Sequence, residues 1–392
     1  MTRKVCVVTG SRADFGFLVW PMRELEAHPD FELQTVVTGA HLCPSFGNTA
    51  REVEAHGFEI DARVDMLLGG DSSIAIAKST GLGIIGFADM LPRLQPDLVM
   101  LLGDRFETFA AATACLIAGI PIAHLAGGDT TEGAFDEQLR HAITKMAHLH
   151  FVTNAEAAQR VRQMGEDPAR IFDVGSSGLD HVNRAPRRAR EDVFAEIGLR
   201  PRARNVVVTF HPVTLDTRSS VDQLSQLLRA LDALGPDVGI VVSGSNADTE
   251  GASLNAMLRA FADARANVVF RLSFDHALFV NLLRQVDAVV GNSSCGLYEA
   301  PSFRIPTVNI GDRQRGRLRA SSVIDCPPER DAIVAAVEAA FRRDCSGVVN
   351  PYGDGKASKR IVSALHGIED WKSLLVKRFV AAAPPEGWSR VA

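Results

Sequence analysis

The chain has 392 residues, of which 46% are hydrophobic and 23% are charged, as in ordinary globular proteins. Its 42 Lys and Arg residues against 47 Asp and Glu residues give a net charge of −5, which argues against nucleic acid as a partner because polyanion binders carry a basic excess. This much apolar sequence excludes disorder for most of the chain and, at about 150 residues per domain, predicts two or three domains.

No uninterrupted apolar run reaches about 18 residues, the length that a membrane-spanning helix needs. Residues 5–9 are too few for the core of a signal peptide and indicate a first strand instead. The six cysteines are scattered and form no C-x-x-C pair, so neither a zinc site nor a disulfide framework is predicted. We therefore expect a cytoplasmic protein with reduced cysteines and no membrane partner.

Short apolar runs alternate with helical patterns along the first half of the chain. Several runs are continuously apolar, which is typical of parallel strands that helices cover on both faces. The predicted strands are residues 4–9, 33–38, 60–64, 97–102, 120–125, 149–153 and 171–174, and the predicted helices are 17–27, 106–118, 135–147 and 155–164. This order predicts a doubly wound α/β domain over residues 1–182.

Charged residues and prolines near residues 183–205 leave little to bury, and we place the domain boundary there. The alternation of strands and helices then restarts. The predicted strands are 205–210, 238–243, 267–272, 288–290, 307–310 and 322–325, and the predicted helices are 221–233, 254–264, 274–284 and 331–343. This order predicts a second Rossmann-like domain over residues 183–355. The remainder, 356–392, is predicted to form a helix over 358–379 that packs back on the N-terminal domain, and then a loose tail.

Polar residues that directly follow strands are the first candidates for chemistry, because ligands of such folds bind at the carboxyl ends of the strands. Arg12 lies in the turn after the first strand, whose glycines suit a bound anion, although an ordinary turn with an exposed arginine explains the same pattern. Asp104 and Arg105 follow the strand 97–102. Asp104 is either an acid or base, or the N-cap of the next helix.

A group of carboxylates follows the strand 120–125. Asp129 comes first, and Asp136 and Glu137 begin the next predicted helix. Paired carboxylates push each other's pKa values apart, which suits proton transfer. Acids are also common at helix starts for reasons of stability alone, so both interpretations stay open.

In the second half, His211 and Arg313 each follow a predicted strand. His211 is either a general acid or base, a phosphate donor, or a structural histidine. Arg313 opens a run with four arginines in seven residues, which in an acidic chain favours a bound anion over a solvated loop.

The segment 291–299 combines small residues with one acid. Ser293, Ser294 and Gly296 leave backbone amides free to hold a diphosphate, and Glu299 is placed to accept hydrogen bonds from ribose hydroxyls. A serine-rich helix cap is the alternative.

Taken in order, these segments resemble the hydrolysing UDP-N-acetylglucosamine 2-epimerases of sialic-acid and legionaminic-acid biosynthesis. Each motif is weak alone, but their joint order from Val7 to about Leu365 is a strong signal. The segments that carry the resemblance are residues 9–16, 47–49, 103–105, 127–129, 140–145, 211–214, 291–299, 311–317 and 350–355.

The resemblance implies a GT-B fold, in which two Rossmann-like, doubly wound domains face a cleft. It also implies a two-stage reaction. Loss of the C2 proton and of UDP gives a 2-acetamidoglycal, and water then adds to release a free 2-acetamido sugar of manno configuration. No metal or other cofactor is implied, and the partners are a UDP-sugar and further copies of the chain in a homodimer or homotetramer.

The resemblance also implies roles by position. Proton transfer falls to Asp104, Asp136 and Glu137, with His211 near the departing phosphate or the sugar. The residues implied to hold UDP or substrate are Arg12, Arg105, Ser293, Ser294, Gly296, Glu299 and Arg313.

One position departs from the family pattern, because Ala126 stands where some relatives carry a catalytic glutamate. Either Asp129, Asp136 or Glu137 covers that role, or the substrate differs. A sugar without the 4-hydroxyl and with a 4-acetamido group, as in legionaminic-acid synthesis, would suit a less polar pocket.

Three other functions stay open. Non-hydrolysing epimerases tend to have an arginine-rich stretch after the position of His211, whereas Pro212, Val213 and Thr214 follow here. A GT-B glycosyltransferase would use the same nucleotide site but would not need the carboxylates of Asp136 and Glu137. A sugar-nucleotide sensor would bind without turnover, and the several strand-end acids argue against it because they would repel an anionic ligand.

Overall fold

Two parallel sheets organise the computed structural model, which describes residues 2–44, 47–69, 72–131, 135–213, 219–245 and 251–381. Residues up to Asp180 and from Gly355 onward form one unit, and His181–Asp354 form a second. The predicted tail from Pro384, and Thr214 of the segment 211–214, lie outside the described residues.

The first unit is built on seven described strands, all parallel. The strands are β1 (Arg3–Thr9), β2 (Phe31–Thr38), β3 (Ala62–Val64), β4 (Leu98–Leu102), β5 (Ile122–Leu125), β6 (Leu149–Val152) and β7 (Ile171–Asp173). The helices are α1 (Arg12–Glu26), α2 (Ala50–Ala55), α3 (Ser73–Leu94), α4 (Phe106–Ile117), α5 (Asp136–Met146) and α6 (Ala155–Gln163). The sheet order is β3-β2-β1-β4-β5-β6-β7, which is the open, doubly wound arrangement.

The second unit repeats the architecture. Two short helices, α7 (Asp180–Arg184) and α8 (Arg190–Ile197), lead into it. Its strands are β8 (Arg204–Thr209), β9 (Val238–Ser243), β10 (Val268–Arg271), β11 (Ala288–Gly291), β12 (Thr307–Ile310) and β13 (Val323–Cys326), in the order β10-β9-β8-β11-β12-β13. Its helices are α9 (Ser220–Ala233), α10 (Gly251–Asp263), α11 (His276–Leu283), α12 (Cys295–Tyr298) and α13 (Arg330–Arg342).

The C-terminal helix α14 (Ala357–His366) belongs to the first unit. The fully buried Asp180 carboxylate accepts the backbone N–H groups of Ala357 and Ser358 at 2.9 and 2.8 Å. These amides have no partner within the helix, so a carboxylate at this end satisfies them and suits the helix dipole. The helix therefore begins where Asp180 holds it.

All predicted strands occur, with their ends within two residues of the predicted ones. The predicted helix over 358–379 is wrong beyond His366, because the helix ends there and only a short 3₁₀ turn, Lys372–Leu375, follows. The sequence analysis also missed α3, whose glycines and β-branched residues have low helix propensity.

By length and composition alone, α3 is apolar enough to cross a membrane, and a third of its apolar 18-residue window is buried. One such helix is weak evidence for a membrane span, because core helices of soluble proteins meet the same criterion. Its inner face lies in the same core cluster as α4, through Phe87, Met90 and Leu91. A Cβ at Gly83 would lie 3.0 Å from the Ala110 side chain, so the two helices approach closely there.

Candidate functional site

Arg140 on α5 joins groups that follow two neighbouring strands of the first sheet. Its largely buried guanidinium contacts the carboxylate of Asp104, which follows β4, and donates at 2.8 Å to the Asp129 carbonyl, which follows β5. It also bonds Thr131 Oγ1 at 2.8 Å and Glu137 Oε2 at 3.3 Å. One cation thus compensates two carboxylates that would otherwise repel each other.

The Asp129 carboxylate is held from the next strand of the sheet, β6. Thr153, which directly follows β6, donates its hydroxyl to Asp129 Oδ1 at 2.5 Å. The preceding Gly128 has φ +78°, and a Cβ there would lie 2.4 Å from the Ala157 carbonyl oxygen. Only glycine fits this turn, so the backbone brings Asp129 to the carboxyl edge of the sheet.

Glu137 is bound on three sides. Its Oε2 accepts the Thr131 backbone N–H at 2.6 Å as well as the Arg140 guanidinium, and its Oε1 lies 3.1 Å from His141 Nε2. These donors hold the carboxylate in one orientation within the first turn of α5.

Asp136 differs from the other carboxylates of this group in its hydrogen bonding and its pKa. It is half-buried, and no side chain of the described residues donates a hydrogen bond to it. Burial raises the pKa of its carboxyl, and the cation of Arg105 opposes that shift. A carboxylate with a raised pKa is a stronger base, which suits Asp136 to take up a proton.

His124 on β5 supports Asp104 from behind, and the sequence analysis did not single it out. Its Nε2 lies 2.7 Å from the Gly103 carbonyl oxygen, and its Nδ1 lies 3.2 Å from Thr144 Oγ1. Burial lowers its pKa to about 4, so the ring is neutral at pH 7. The carbonyl can only accept, so the proton lies on Nε2 and fixes the backbone next to Asp104.

Glu107 is a second residue that sequence reasoning missed. It is 1% exposed, and its Oε1 accepts from Arg105 Nε at 2.5 Å. Burial raises the pKa of the Glu107 carboxyl, and Arg105 opposes that shift. The side chain packs so tightly on Gly10 that a Cβ there would lie 2.6 Å from Glu107 Cγ. Glu107 therefore orients Arg105 against the turn that follows β1.

Two backbone amides of that turn, those of Gly10 and Ser11, are not free to bind a ligand. The Asp14 carboxylate already accepts the N–H groups of Gly10 and Ser11 at 2.8 and 2.7 Å. Arg12, about half-exposed, pairs with Glu52 at 3.2 Å. Asp14 therefore occupies the amides of Gly10 and Ser11, and the side chain that this turn offers an anion is the Arg12 guanidinium.

Asn292 organises the carboxyl edge of the second sheet, and it too was missed. It accepts the His211 N–H at 2.8 Å and donates to the His211 carbonyl at 2.9 Å, which ties β8 to β11. Its own carbonyl accepts from Arg313 at 3.2 Å and from Gln314 at 2.8 Å, both of which follow β12. Burial, with the Arg313 cation, lowers the pKa of His211 to about 4, so this histidine is neutral at pH 7.

The segment after β11 offers two amides and one acid. No backbone group of the described residues accepts the N–H of Ser293 or Ser294, whereas the Gly296 N–H donates to the Ser293 carbonyl. Gly296 is needed for packing, because a Cβ there would lie 2.5 Å from the Thr307 side chain. Burial raises the pKa of Glu299 to about 7, and its Oε2 has no hydrogen-bond partner among the described residues.

A further group could hold a metal ion by distance alone. The ligand atoms of His28, Asp30 and His366 lie within 4.8 Å of one another. His366 already bonds Asp30 at 3.1 Å, and both are about half-exposed, so a surface ion pair accounts for their approach.

Each unit thus places its predicted site residues at the carboxyl edge of its own parallel sheet, where Rossmann-like folds bind ligands. The first unit contributes carboxylates around one arginine, and the second contributes a neutral histidine, an arginine and free amides. A chain with two such units has the GT-B fold, a class that includes enzymes of nucleotide sugars.

The comparison with protein families identifies which class of enzyme this is. The model of the UDP-N-acetylglucosamine 2-epimerase family matches residues 23–366, and the chain belongs to this family.

Relatives and solved structures agree with this assignment. The chain is 35% identical to the GDP/UDP-N,N′-diacetylbacillosamine 2-epimerase (hydrolyzing) of Campylobacter jejuni, over 82% of this chain and 84% of that protein. It is 34% identical to the UDP-N,N′-diacetylbacillosamine 2-epimerase (hydrolyzing) of Legionella pneumophila, over 96% and 99%. The crystal structure of UDP-GlcNAc 2-epimerase from Neisseria meningitidis bound to UDP-GlcNAc has the same fold, with a TM-score of 0.73 at 18% identity over 93% and 99% of the two chains.

Arg140→Ala is expected to destabilise the protein more at pH 8 than at pH 5. At pH 8 the ionised Asp104 and Glu137 lose their buried counterion, which costs about 3–5 kcal/mol of unfolding free energy. As the pH falls, the unpaired carboxylates take up protons and their repulsion disappears, so the variant approaches the wild type. Thermal unfolding midpoints at the two pH values measure this.

The exposed Arg162→Ala variant is the control for loss of one positive charge, and it should track the wild type at both pH values. A loss of stability in Arg140→Ala that is equal at pH 8 and pH 5 would show that packing, rather than charge compensation, is the role of Arg140.

Proposed function

We propose that the chain is a hydrolysing 2-epimerase of UDP-linked 2-acetamido sugars. It converts UDP-N-acetylglucosamine, or its 2,4-diacetamido-2,4,6-trideoxy analogue, to UDP and the free manno-configured 2-acetamido sugar. The observation that carries this proposal is the site of the first unit, in which Asp136 has a raised pKa while Arg140 compensates the neighbouring carboxylates Asp104 and Glu137. Moving a proton on carbon needs carboxylates in such different states.

In the first stage, Asp136 removes the C2 proton. The electron pair of that C–H bond forms the C1=C2 double bond, the bond from C1 to the phosphate oxygen breaks, and UDP leaves with the electron pair of that C–O bond. The product is the 2-acetamidoglycal. A raised pKa makes the ionised Asp136 carboxylate a better base, and the ionised form is the one this step requires.

In the second stage, water attacks C1 and a proton is delivered to C2 on the face opposite the one that lost it. Asp104 or Glu137, whose carboxylates pair with Arg140, takes up the proton that the attacking water loses and passes it to C2, and Asp129, held by Thr153, orients the sugar. Configuration at C2 is thereby inverted and the sugar leaves without UDP.

The second unit holds UDP. Arg313 and the free amides of Ser293 and Ser294 bind the diphosphate, and Glu299 accepts hydrogen bonds from the ribose. His211 is neutral at pH 7, so it donates a hydrogen bond to the departing phosphate without adding a charge. Arg12 and Arg105 of the first unit are the further cations that we assign to the substrate anion, while Gly296 serves by letting α12 pack against β12.

The diacetamido sugar is the substrate that we favour. Two relatives at 34–35% identity are named for diacetylbacillosamine. Ala126 agrees with this, because it has no group that could bond a sugar hydroxyl or transfer a proton. Its φ of +61° places it in the tight turn after β5, next to the site.

The location and the assembly of the enzyme belong to the same proposal. We propose that the enzyme acts in the cytoplasm as a homodimer or homotetramer, without cofactor, membrane or nucleic acid. Its free sugar product would enter the synthesis of sialic or legionaminic acids.

Incubation of the full chain with UDP-sugar in heavy water, followed by NMR, tests the reaction. We expect free UDP and a released sugar of manno configuration with deuterium at C2, because the proton removed there exchanges with solvent. Release of UDP with hydrogen retained at C2 would mean simple hydrolysis. Deuterium in a sugar that stays bound to UDP would mean the non-hydrolysing reaction.

Asp136→Asn is the matched variant in this experiment. It should lose turnover by roughly 100-fold or more and still bind UDP, because an amide cannot accept the C2 proton. Glu369→Gln changes an exposed acid of the same unit and should leave turnover unchanged. Near-normal turnover in Asp136→Asn would remove Asp136 from the proton-transfer step.

The same assay with two substrates tests the sugar preference. We expect a higher kcat/KM with the UDP-linked 2,4-diacetamido-2,4,6-trideoxy sugar than with UDP-N-acetylglucosamine, since Ala126 gives a 4-hydroxyl no partner. A strong preference for UDP-N-acetylglucosamine would contradict this assignment and leave the epimerase reaction intact.

UDP binding is expected to weaken below pH 7 through Glu299. The free carboxyl has a pKa of about 7, and ribose hydroxyls donate to its ionised form, so binding requires the proton to leave. Below pH 7 this costs up to about tenfold in affinity per pH unit, and above pH 7 the cost disappears. Calorimetry should therefore find that the ratio of the Glu299→Gln dissociation constant to the wild-type constant is largest at pH 8 and falls towards pH 6.

The ratio cancels the titration of UDP itself, which is common to both proteins. Glu338→Gln, an exposed acid on α13, should give a ratio near one at every pH. A ratio for Glu299→Gln that does not change with pH would separate Glu299 from ribose binding.

A further inference from the structure

The outer face of α3 carries two large apolar side chains between opposite charges. Leu82 and Ile85 are 41% and 62% exposed, and Lys78 and Asp89 are exposed beside them. With 3.6 residues per turn, these four side chains fall within an arc of about 60°. The opposite face of α3 supplies its core packing, so the folding of the protomer does not explain this stripe.

The stripe is complementary to itself. The midpoint between Lys78 and Asp89 is also the midpoint between Leu82 and Ile85. If a second α3 lies antiparallel across that midpoint, Leu82 meets Ile85 of the other copy, and each Lys78 meets an Asp89, about 8 Å to either side of the centre. Within the described part of the chain, neither Lys78 nor Asp89 has an ion-pair partner.

The same alignment gives a partner to a third apolar side chain, Ile74. This residue is 68% exposed, lies one turn before Lys78, and in the antiparallel alignment falls beside Arg93 of the other copy. Next to that position, α3 and α4 form an apolar groove whose lining includes Ile84, Ala88, Pro92 and Ile117. Because a two-fold axis repeats every contact, each Ile74 would enter the groove of the other copy in this alignment.

We propose that two copies of this chain pair through their α3 helices, antiparallel about a two-fold axis between Gly83 and Ile84. A self-complementary patch is what a two-fold interface requires, and an exposed apolar patch with a polar rim is typical of interfaces. The proposal says where the homo-oligomer proposed above is joined, so it rests on that oligomer but not on the epimerase chemistry. A bilayer fits the stripe less well, because both charges would enter it.

Sedimentation velocity of the full chain over a range of concentrations tests the apolar centre. Ile85→Asp is expected to raise the dissociation constant of the dimer by at least about 100-fold, since the symmetry removes the contact twice and leaves two carboxylates in the interface. Val349→Asp, at a side chain that is 81% exposed on the second unit, is the control and should leave the dissociation constant unchanged.

Charge reversal tests the alignment itself. Lys78→Glu and Asp89→Lys should each weaken the dimer by roughly tenfold, because each places like charges opposite one another twice. Mixing the two variants should restore the affinity, since every 78–89 contact in the mixed dimer is again between opposite charges, and the double variant should regain it alone. Lys359→Glu, an exposed reversal on α14, should have no effect.

The outcomes separate the proposals. An oligomer that resists Ile85→Asp, or single reversals that mixing does not rescue, would overturn this interface and keep the oligomer. A wild-type chain that stays monomeric would overturn both. Co-sedimentation of that monomer with vesicles, lost in Ile85→Asp, would mean that the face binds lipid instead. The heavy-water assay is independent of these measurements, so absence of turnover with the predicted rescue would contradict only the proposed reaction.

Discussion

The site of the first unit depends on one buried cation, the guanidinium of Arg140. Asp104, Glu137 and the Asp129 carbonyl all converge on it from different elements of the chain. Without a compensating charge, these two neighbouring carboxylates would repel each other. The cation therefore permits several acids to gather at this edge of the sheet, and it also fixes the directions in which Asp104 and Glu137 point.

A neutral side chain organises the carboxyl edge of the second sheet. Asn292 uses its side-chain amide and its backbone carbonyl to tie together the residues that follow three strands. Burial then keeps His211 uncharged and raises the pKa of Glu299 to about 7. The two groups of residues thus differ: one contains acids around a cation, and the other contains a neutral histidine, free amides and Arg313.

Much of the fold could be predicted, because parallel strands that are buried on both faces are visible as continuous apolar runs. The residues that follow those strands could also be predicted, since parallel strands bring their carboxyl ends to one edge. Arg140, Glu107, His124 and Asn292 escaped this reasoning. Their roles depend on contacts with residues that are distant in the chain, and a pattern of residue types does not show which side chains become buried together.

The sequence by itself determined the alternation of strands and helices, the chain order of the site segments and, through that order, the resemblance to hydrolysing 2-epimerases. Only the tertiary structure decided that Glu137 is hydrogen-bonded and that Asp136 has a raised pKa, because burial and the nearness of a cation set these properties. It also decided that the N–H groups of Gly10 and Ser11, after β1, donate to Asp14 and that the α3 stripe faces outward. Local sequence sets backbone propensities, whereas charge states and exposed faces depend on what the folded chain packs against them.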